Sequence, residues 1–395
     1  MSLAAPEPAP PPSAPTLLPP ADWSELTLGW IQRALGPCPE FAGCVMQHIW
    51  VEPLAGRGFA ADVARVYLEG RLSPQAPTTL IVKLASKVQR TRDFLVEFGI
   101  YDREVRFYEE LAAQVGIGTP RCYFVARGGG GGFVLLLEDL APSEGGDQIA
   151  GAPLDRHESV LRSMAALHAR WWNDAALEQR EWLYEPVDVA RARQVYREAA
   201  TWFCETWAPP YPHLLRVARG IVQMLDDVSP PARTRPFTLV HGDFRLDNVL
   251  FPGAAGGRFG LVDWQTVSLG SPSVDVGGWL ILSLTVEQRR RHGPHLLALY
   301  HAALSGHGVR GYPLLRLRIE LVVLVFFHVM GIVVTSHQLQ LDRGRGALLR
   351  EAMMERLEAM LVDLHVTVWI HGLRWLLRLQ RRVRDLVSRL SSGRR

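Results

Sequence analysis

Between residues 46 and 140, the hydrophobic positions gather in short β-rich runs: VMQHIWVEPLAG, ADVARVYLEG, TTLIVKLAS, RCYFVARG and GFVLLLEDL, separated by glycine and proline signals. Runs of this kind, bounded by turn residues, predict strands. One longer segment interrupts them. In DFLVEFGIYDREVRFYEELAAQVG, the residues Phe94, Phe98, Tyr101, Val105, Tyr108 and Leu111 recur at three- and four-residue steps, which predicts one helix with one apolar stripe. Upstream, DWSELTLGWIQRAL shows helical spacing with Asp22 placed as its cap. From about residue 150 the pattern turns helical, in HESVLRSMAALHARWW, VARARQVYREAATWFCETW and HLLRVARGIVQMLDDV. Only FTLVHGD and FGLVDWQ break it as short strands, and long helices follow to the end. The apolar run LVVLVFFHVMGIVV (321–334) is shorter than a membrane span and contains His328, so it predicts a buried core helix.

This order predicts an α+β architecture with a β-rich N-lobe (22–142) and a mostly helical C-lobe (143–372), joined near LEDLAPSEGG. Residues 1–21 read as a disordered Pro/Ala-rich leader, and 373–395 as a basic amphipathic tail. The cleft between two such lobes is a natural ligand site. Composition adds exclusions. At 48% hydrophobic, 21% charged and net charge +3, nothing global argues for nucleic acid as a partner. The four cysteines form no CxxC pair and have no histidine at zinc spacing. They read as reduced thiols of a cytoplasmic protein, with a Cys38–Cys44 disulfide as the minor alternative. The leader has no basic n-region and too much proline for a signal helix.

The densest chemistry lies in HGDFRLDNVLF (241–251). Asp243 and Asn248 stand at the D-x-x-x-x-N spacing of a phosphoryl-transfer catalytic loop. There an aspartate takes the proton of the attacking hydroxyl and an asparagine helps hold magnesium. A second metal-holding aspartate is then expected on a neighbouring strand, and Asp263 in GLVDWQ stands fifteen residues after Asn248, across a Gly-rich turn. Such oxygen donors suit Mg²⁺. In the N-lobe, Lys83 interrupts the apolar LIVKLAS, where a buried ammonium needs an anionic partner. Glu104 is the expected partner, with Glu97 and Glu109 as rivals. Gly56 and Gly58 in PLAGRGFAAD are candidates for a phosphate-covering turn. Glu138, ending FVLLLEDL, marks a hinge whose backbone would meet a purine ring. The five glycines 128–132 precede a strand rather than a helix, so they read as a hairpin tip and no phosphate cradle.

With these motifs in this order, the chain resembles the aminoglycoside-phosphotransferase and choline-kinase superfamily, and within it the ecdysteroid-kinase-like branch. The resemblance rests on LIVKLAS, YDREVRFYEEL, FVLLLEDL, MAALHARWW, HGDFRLDNVLF and LVDWQTVSLGSPSVDVGGWL, spread over roughly residues 45 to 285. It implies a protein-kinase-like two-lobed fold, ATP and Mg²⁺ as cofactors, and a small-molecule hydroxyl as phosphate acceptor. It would make Asp243 the base, Asn248 and Asp263 the metal ligands, and Lys83 with Glu104 the phosphate-anchoring pair. His241 would be the loop's structural histidine, Asp275 its brace from the following helix, and His168 a structural helix histidine. Gly242 stands where protein kinases carry an arginine, DWQ replaces D-F-G, and no A-P-E segment follows, all of which argue against a protein substrate.

The acceptor is less well specified. The helical region lacks an obvious acidic cluster, which a polycationic aminoglycoside would need. It is rich in aromatics instead: Trp171, Trp172, Trp182, Trp202, Phe203, Trp207 and Tyr211. The expectation is therefore a fairly apolar alcohol (sterol-, polyketide- or acyl-like). An antibiotic phosphotransferase or a non-catalytic nucleotide-binding module stand as alternatives. The arginine-rich tail reads first as a terminal helix with a solvated basic face, and secondarily as a contact for an anionic membrane surface or an acidic partner.

Overall fold

The computed structural model describes residues 17–54, 60–184, 188–227, 235–339, 341, 343–366 and the single positions 368, 370 and 372. Gly56 and Gly58, residues 1–16 of the leader and the basic tail 373–395 lie outside the described residues.

The N-lobe contains α1 (Leu28–Leu35), β1 (Val45–Pro53), β2 (Ala61–Arg71), β3 (Thr79–Ala85), α2 (Gln89–Glu97), α3 (Ile100–Glu110), β4 (Cys122–Arg127) and β5 (Phe133–Glu138). The strands form one antiparallel sheet in the order β1-β2-β3-β5-β4. Strand alternation sends Ala64, Val66, Leu80 and Val82 to one face, where they pack with Trp30 and Ile31 of α1. The same alternation turns Ile81 and Lys83 to the opposite face, which lines the interlobe cleft.

The N-terminal helices differ from expectation in two respects. The helix expected over 93–116 is divided into α2 and α3, because Gly99 between them adopts φ +64°, a left-handed conformation that no helix continues through. Asp22 caps only a one-turn 3-10 segment, Trp23–Glu25, accepting from Ser24 N–H at 2.7 Å. The helix proper, α1, is capped by Thr27, whose Oγ1 accepts from Trp30 N–H at 3.2 Å. All four cysteines are free thiols, so the Cys38–Cys44 alternative is not realised.

The C-lobe comprises β6 (Glu144–Gly145), α4 (Leu154–Arg170), α5 (Ala175–Glu178), α6 (Val189–Thr206), α7 (Pro212–Met224), β7 (Thr238–Val240), β8 (Val249–Phe251), β9 (Gly260–Leu261), β10 (Ser268–Gly270), α8 (Ser273–Leu282), α9 (Val286–Gly306), α10 (Leu314–Gln338) and α11 (Gly344–Asp363). Two small sheets, β6-β8-β9 and β7-β10, hold the polar loop and the Asp263 turn at the floor of the cleft. The architecture is the expected two-lobed α+β fold.

The apolar run 321–334 differs from expectation. It lies inside α10, which packs against α6, α7, α8 and α11. Leu317, Leu321, Val325, Val329, Ile332 and Val333 are buried, whereas Leu315, Ile319, Val323 and Phe327 are 67%, 58%, 55% and 51% exposed. Among the described residues, α10 is the one helix long and apolar enough to cross a membrane. One third of its apolar window is buried, so α10 gives one face to the core and leaves the other exposed, where a fully buried helix was expected.

Candidate active site

Lys83 projects from β3 into the cleft and meets two carboxylates. Its Nζ lies 2.7 Å from Glu104 Oε2 and 2.5 Å from Asp263 Oδ1. The two rivals are committed elsewhere: Glu97 pairs with Arg191, and Glu109 with Arg127. Burial alone would depress the lysine, but Asp263 and Glu104 more than offset it and hold its pKa above the usual value. The carboxylates respond unequally. Burial raises Glu104 despite Lys83, whereas Lys83 overcomes burial to hold Asp263 below the usual range. The residue with the more exposed carboxylate, Asp263, therefore keeps its charge toward the cleft.

Asp263 sits at φ +69°, ψ +59°, a left-handed conformation that non-glycine residues seldom adopt. Trp264, next in the chain, fixes that turn. Its ring stacks on Phe107 of α3 at 4.1 Å and 8°, and it meets the His241 ring edge-on at 4.7 Å. One indole thus ties the helix carrying Glu104, the turn carrying Asp263 and the loop carrying Asp243 together. Its role was not anticipated from the sequence, where the only signal was an aromatic residue after Asp263.

The loop 241–248 is held from below. Asp275 on α8 accepts from His241 N–H (Oδ2, 2.8 Å) and Gly242 N–H (Oδ1, 2.8 Å), and His168 Nε2 lies 3.1 Å from its Oδ2. His168 Nδ1 is 2.8 Å from the Tyr300 hydroxyl. His241 Nε2 meets Val262 O at 3.1 Å, and burial lowers its pKa, favouring the neutral ring. Gly242 is required by geometry: φ is +82°, and a Cβ there would lie 2.5 Å from Thr266 O.

Asp243 and Asn248 are adjacent. Asn248 Nδ2 donates to Asp243 O (2.8 Å) and Oδ2 (3.0 Å). Arg245 Nε lies 2.9 Å from both carboxylate oxygens, and its Nη1 donates to Gln148 Oε1 at 2.8 Å. Asp247 lies 3.5 Å from Arg245 Nη1, and its closer partners come from elsewhere in the chain. Arg345 of α11 grips it with Nη1 and Nη2 at 2.8 Å each, and it also accepts from Gln148 N–H at 2.9 Å. The Arg345 contact overcomes burial and holds Asp247 below the usual carboxylate range. Local spacing could not disclose Arg345 or Gln148, because each lies about a hundred residues from the loop.

Glu138 lines the cleft, but its carboxylate is turned to Arg258 (2.7 Å) and to Arg121 N–H (3.0 Å). Its carboxylate is thus already committed within the protein. The cleft is one continuous cavity of about 2000 Å³ extending from Lys83 past Asp243 into the C-lobe. Its C-lobe wall is apolar and includes Met224, Phe237, Val274, Phe327, Met330 and Met353. None of the seven C-lobe aromatics singled out in the sequence lines it. Trp171, Trp182 and Phe203 are buried in cores, and Trp202 packs on Trp207 and His337. Most of the wall comes from α7, α10 and α11, with Val274 from α8 and Phe237 from just ahead of β7.

Fold and site define a two-lobed, kinase-like protein whose acid–amide loop and lysine–carboxylate cluster face one cleft. The ecdysteroid kinase-like family model matches residues 55–308, and the chain belongs to that family. No curated protein sequence matches it. Among solved structures it is similar to an ethanolamine kinase of Plasmodium vivax (11% identity, 81% of this chain and 83% of that one, TM-score 0.48). It is also similar to the choline kinase LicA of Streptococcus pneumoniae (14% identity, 83% and 97%, TM-score 0.47). A third is the macrolide 2'-phosphotransferase MphH of Brachybacterium faecium (14% identity, 80% and 94%, TM-score 0.41).

Proposed function

We propose that this protein is an ATP- and Mg²⁺-dependent phosphotransferase that phosphorylates a hydroxyl of a rather apolar small molecule, with Asp243 as the base. The observation that carries the reading is the joining, in one cavity, of the Lys83–Glu104–Asp263 cluster, the Asp243–Asn248 loop and an apolar C-lobe wall. Lys83, fixed by Glu104, presents a cation to the nucleotide phosphates. The donor set fits Mg²⁺: a charged carboxylate on Asp263 and the amide oxygen of Asn248, whose NH₂ is already spent on Asp243. Two protein oxygens are few, which suits an ion that keeps its waters and binds phosphate oxygens. Bound there, it would neutralise the charge that develops on the transferring phosphoryl group.

Asp243 does the local chemistry. A carboxylate has about four lone-pair sites. Oδ2 accepts from Arg245 and Asn248, whereas Oδ1 accepts only from Arg245 among the described residues. Oδ1 is therefore the oxygen with room for the acceptor hydroxyl, whose proton it takes as the oxygen attacks phosphorus. A polycationic acceptor is disfavoured: Glu320, the carboxylate that α10 contributes to the cavity, is already bonded to Arg316, Tyr312 and Ser271. The test is a mass-spectrometric screen of hydroxylated metabolites for phosphate gain, with Asp243→Asn as control. That variant is expected to lose at least about a hundredfold in rate. Full activity in the variant would overturn the assignment of the base, and a melting temperature unmoved by nucleotide and Mg²⁺ would overturn the kinase reading.

A further inference from the structure

The exposed face of α10 extends beyond the cavity, and its outer part, Leu315 and Ile319, has a chemistry that the reaction does not account for. Leu315, Ile319, Val323 and Phe327 are each more than half exposed. Steps of four residues keep them within an arc of about 120°, over about 18 Å of helix. Large apolar side chains scattered singly over a surface need no explanation, but a contiguous row marks an interaction site.

Two further observations point to the occupant. First, the row runs into the mouth of the cleft: Val323 and Phe327 also line the cavity, so its apolar wall continues unbroken onto the outside of the molecule. Second, the charge beside the row is positive. Arg318 is exposed next to Ile319, and Arg310 is exposed just ahead of the helix. The one carboxylate of α10, Glu320, is neutralised by Arg316 at 2.8 Å. Apolar side chains flanked by arginines are the chemistry of a helix lying in the interfacial plane of an anionic bilayer. The opposite face of α10 is buried against α6, α7, α8 and α11, so the helix offers a bilayer one face and not its whole circumference.

We propose that the Leu315–Phe327 face docks this protein on an anionic lipid surface, with the mouth of the acceptor cavity against the membrane, so that the apolar alcohol enters from the lipid phase. What enters the cavity rests on the phosphotransferase reading; the docking does not. A second copy of the chain is the competing occupant, and the basic tail is the competing membrane contact.

The experiment is co-sedimentation of the full-length protein with vesicles of phosphatidylcholine alone and of phosphatidylcholine mixed with phosphatidylserine. Binding is expected to the mixed vesicles and to weaken with salt. Ile319→Asp is expected to lower the partition coefficient about tenfold, and Ile319→Asp combined with Val323→Asp further, with melting curves unchanged. If the double variant does not fold, Ile319→Asp alone decides, because Ile319 lies outside the cavity lining. Asp243→Asn is expected to bind vesicles like the parent, so a failed kinase assignment and a failed docking assignment give different results. The proposal is overturned if the parent ignores both vesicles, or if Ile319→Asp binds as well as the parent. It is equally overturned if Arg381→Glu, Arg382→Glu and Arg384→Glu together abolish binding while Ile319→Asp does not. A parent that is a dimer by light scattering and becomes monomeric on Ile319→Asp would assign the face to a second copy.

Discussion

Asp275 is where the geometry of the catalytic loop is most concentrated. It is buried, and its two oxygens receive the backbone N–H groups of His241 and Gly242 and the imidazole of His168. In Asp275→Asn, one oxygen remains as an acceptor and the other becomes an NH₂ facing an N–H donor. At least one backbone N–H is then left without a partner, and the remaining bonds lose their charge assistance. A hydrogen bond to a charged group contributes about 1.5–3 kcal/mol, and an unsatisfied buried donor costs about 1–3 kcal/mol. The expected destabilisation is therefore about 3–5 kcal/mol, placing this substitution in the exceptional tail of single replacements. At roughly 2–4 °C per kcal/mol for a large domain, the melting temperature should fall by about 10 °C. Differential scanning fluorimetry reads the stability, and phosphate transfer, once an acceptor is found, reads the loop. Transfer should fall further than the folded fraction does, because the loop's two ends are no longer pinned beneath Asp243. A melting temperature within about 2 °C of the parent would refute the reasoning, since an effect below 1 kcal/mol is incompatible with three filled acceptor sites in a buried position.

The Lys83 cluster predicts an asymmetry. Lys83→Met leaves Glu104 and Asp263 facing each other without a cation, so it should cost about 3–5 kcal/mol and abolish the thermal shift produced by nucleotide. Glu104→Gln leaves Lys83 paired with Asp263 and should be milder in melting while still weakening the nucleotide shift; equal effects would argue against the cluster as described. Stability should also fall on acidification. Burial pushes His157 down to about 4 in the folded protein, below the ordinary value of 6.5, so the unfolded chain binds the extra proton. This group's contribution is complete above about pH 6.5 and is lost as pH falls toward 4, with about 2 kcal/mol gone between pH 7 and pH 5. Urea titrations at the two pH values, compared with the same pair for His157→Gln, isolate that contribution.

The strands of the N-lobe were legible because each is a short run closed by glycine or proline, and alternation within LIVKLAS turned Lys83 to the cleft. The D-x-x-x-x-N spacing and the Gly-rich turn before Asp263 were likewise local signals. The division at Gly99 was masked by an apolar stripe that continues in register through both helices, although one left-handed residue was enough to end the first. Thr27 displaced Asp22 as the helix cap through a choice between two side chains five residues apart, which propensity does not resolve. The aromatics of the C-lobe suggested an apolar acceptor, but composition alone could not say which of them were core and which faced the cleft. The fold places Trp171, Trp182 and Phe203 in its cores and builds most of the wall from α7, α10 and α11. Contacts made across the chain, such as Arg345 to Asp247 and Trp264 to Phe107, have no local signature.

The Arg345–Asp247 contact bears on how relatives of this protein can be recombined. The family match ends at residue 308, yet the guanidinium that grips the loop comes from residue 345. A chimera that grafts the matched segment onto another member's C-terminal helices would bring Asp247 without the bidentate guanidinium that grips it, leaving only Arg245 at 3.5 Å, and would mix two walls around one acceptor. Modules exchanged between such proteins would therefore need to carry α10 and α11 with the loop they serve.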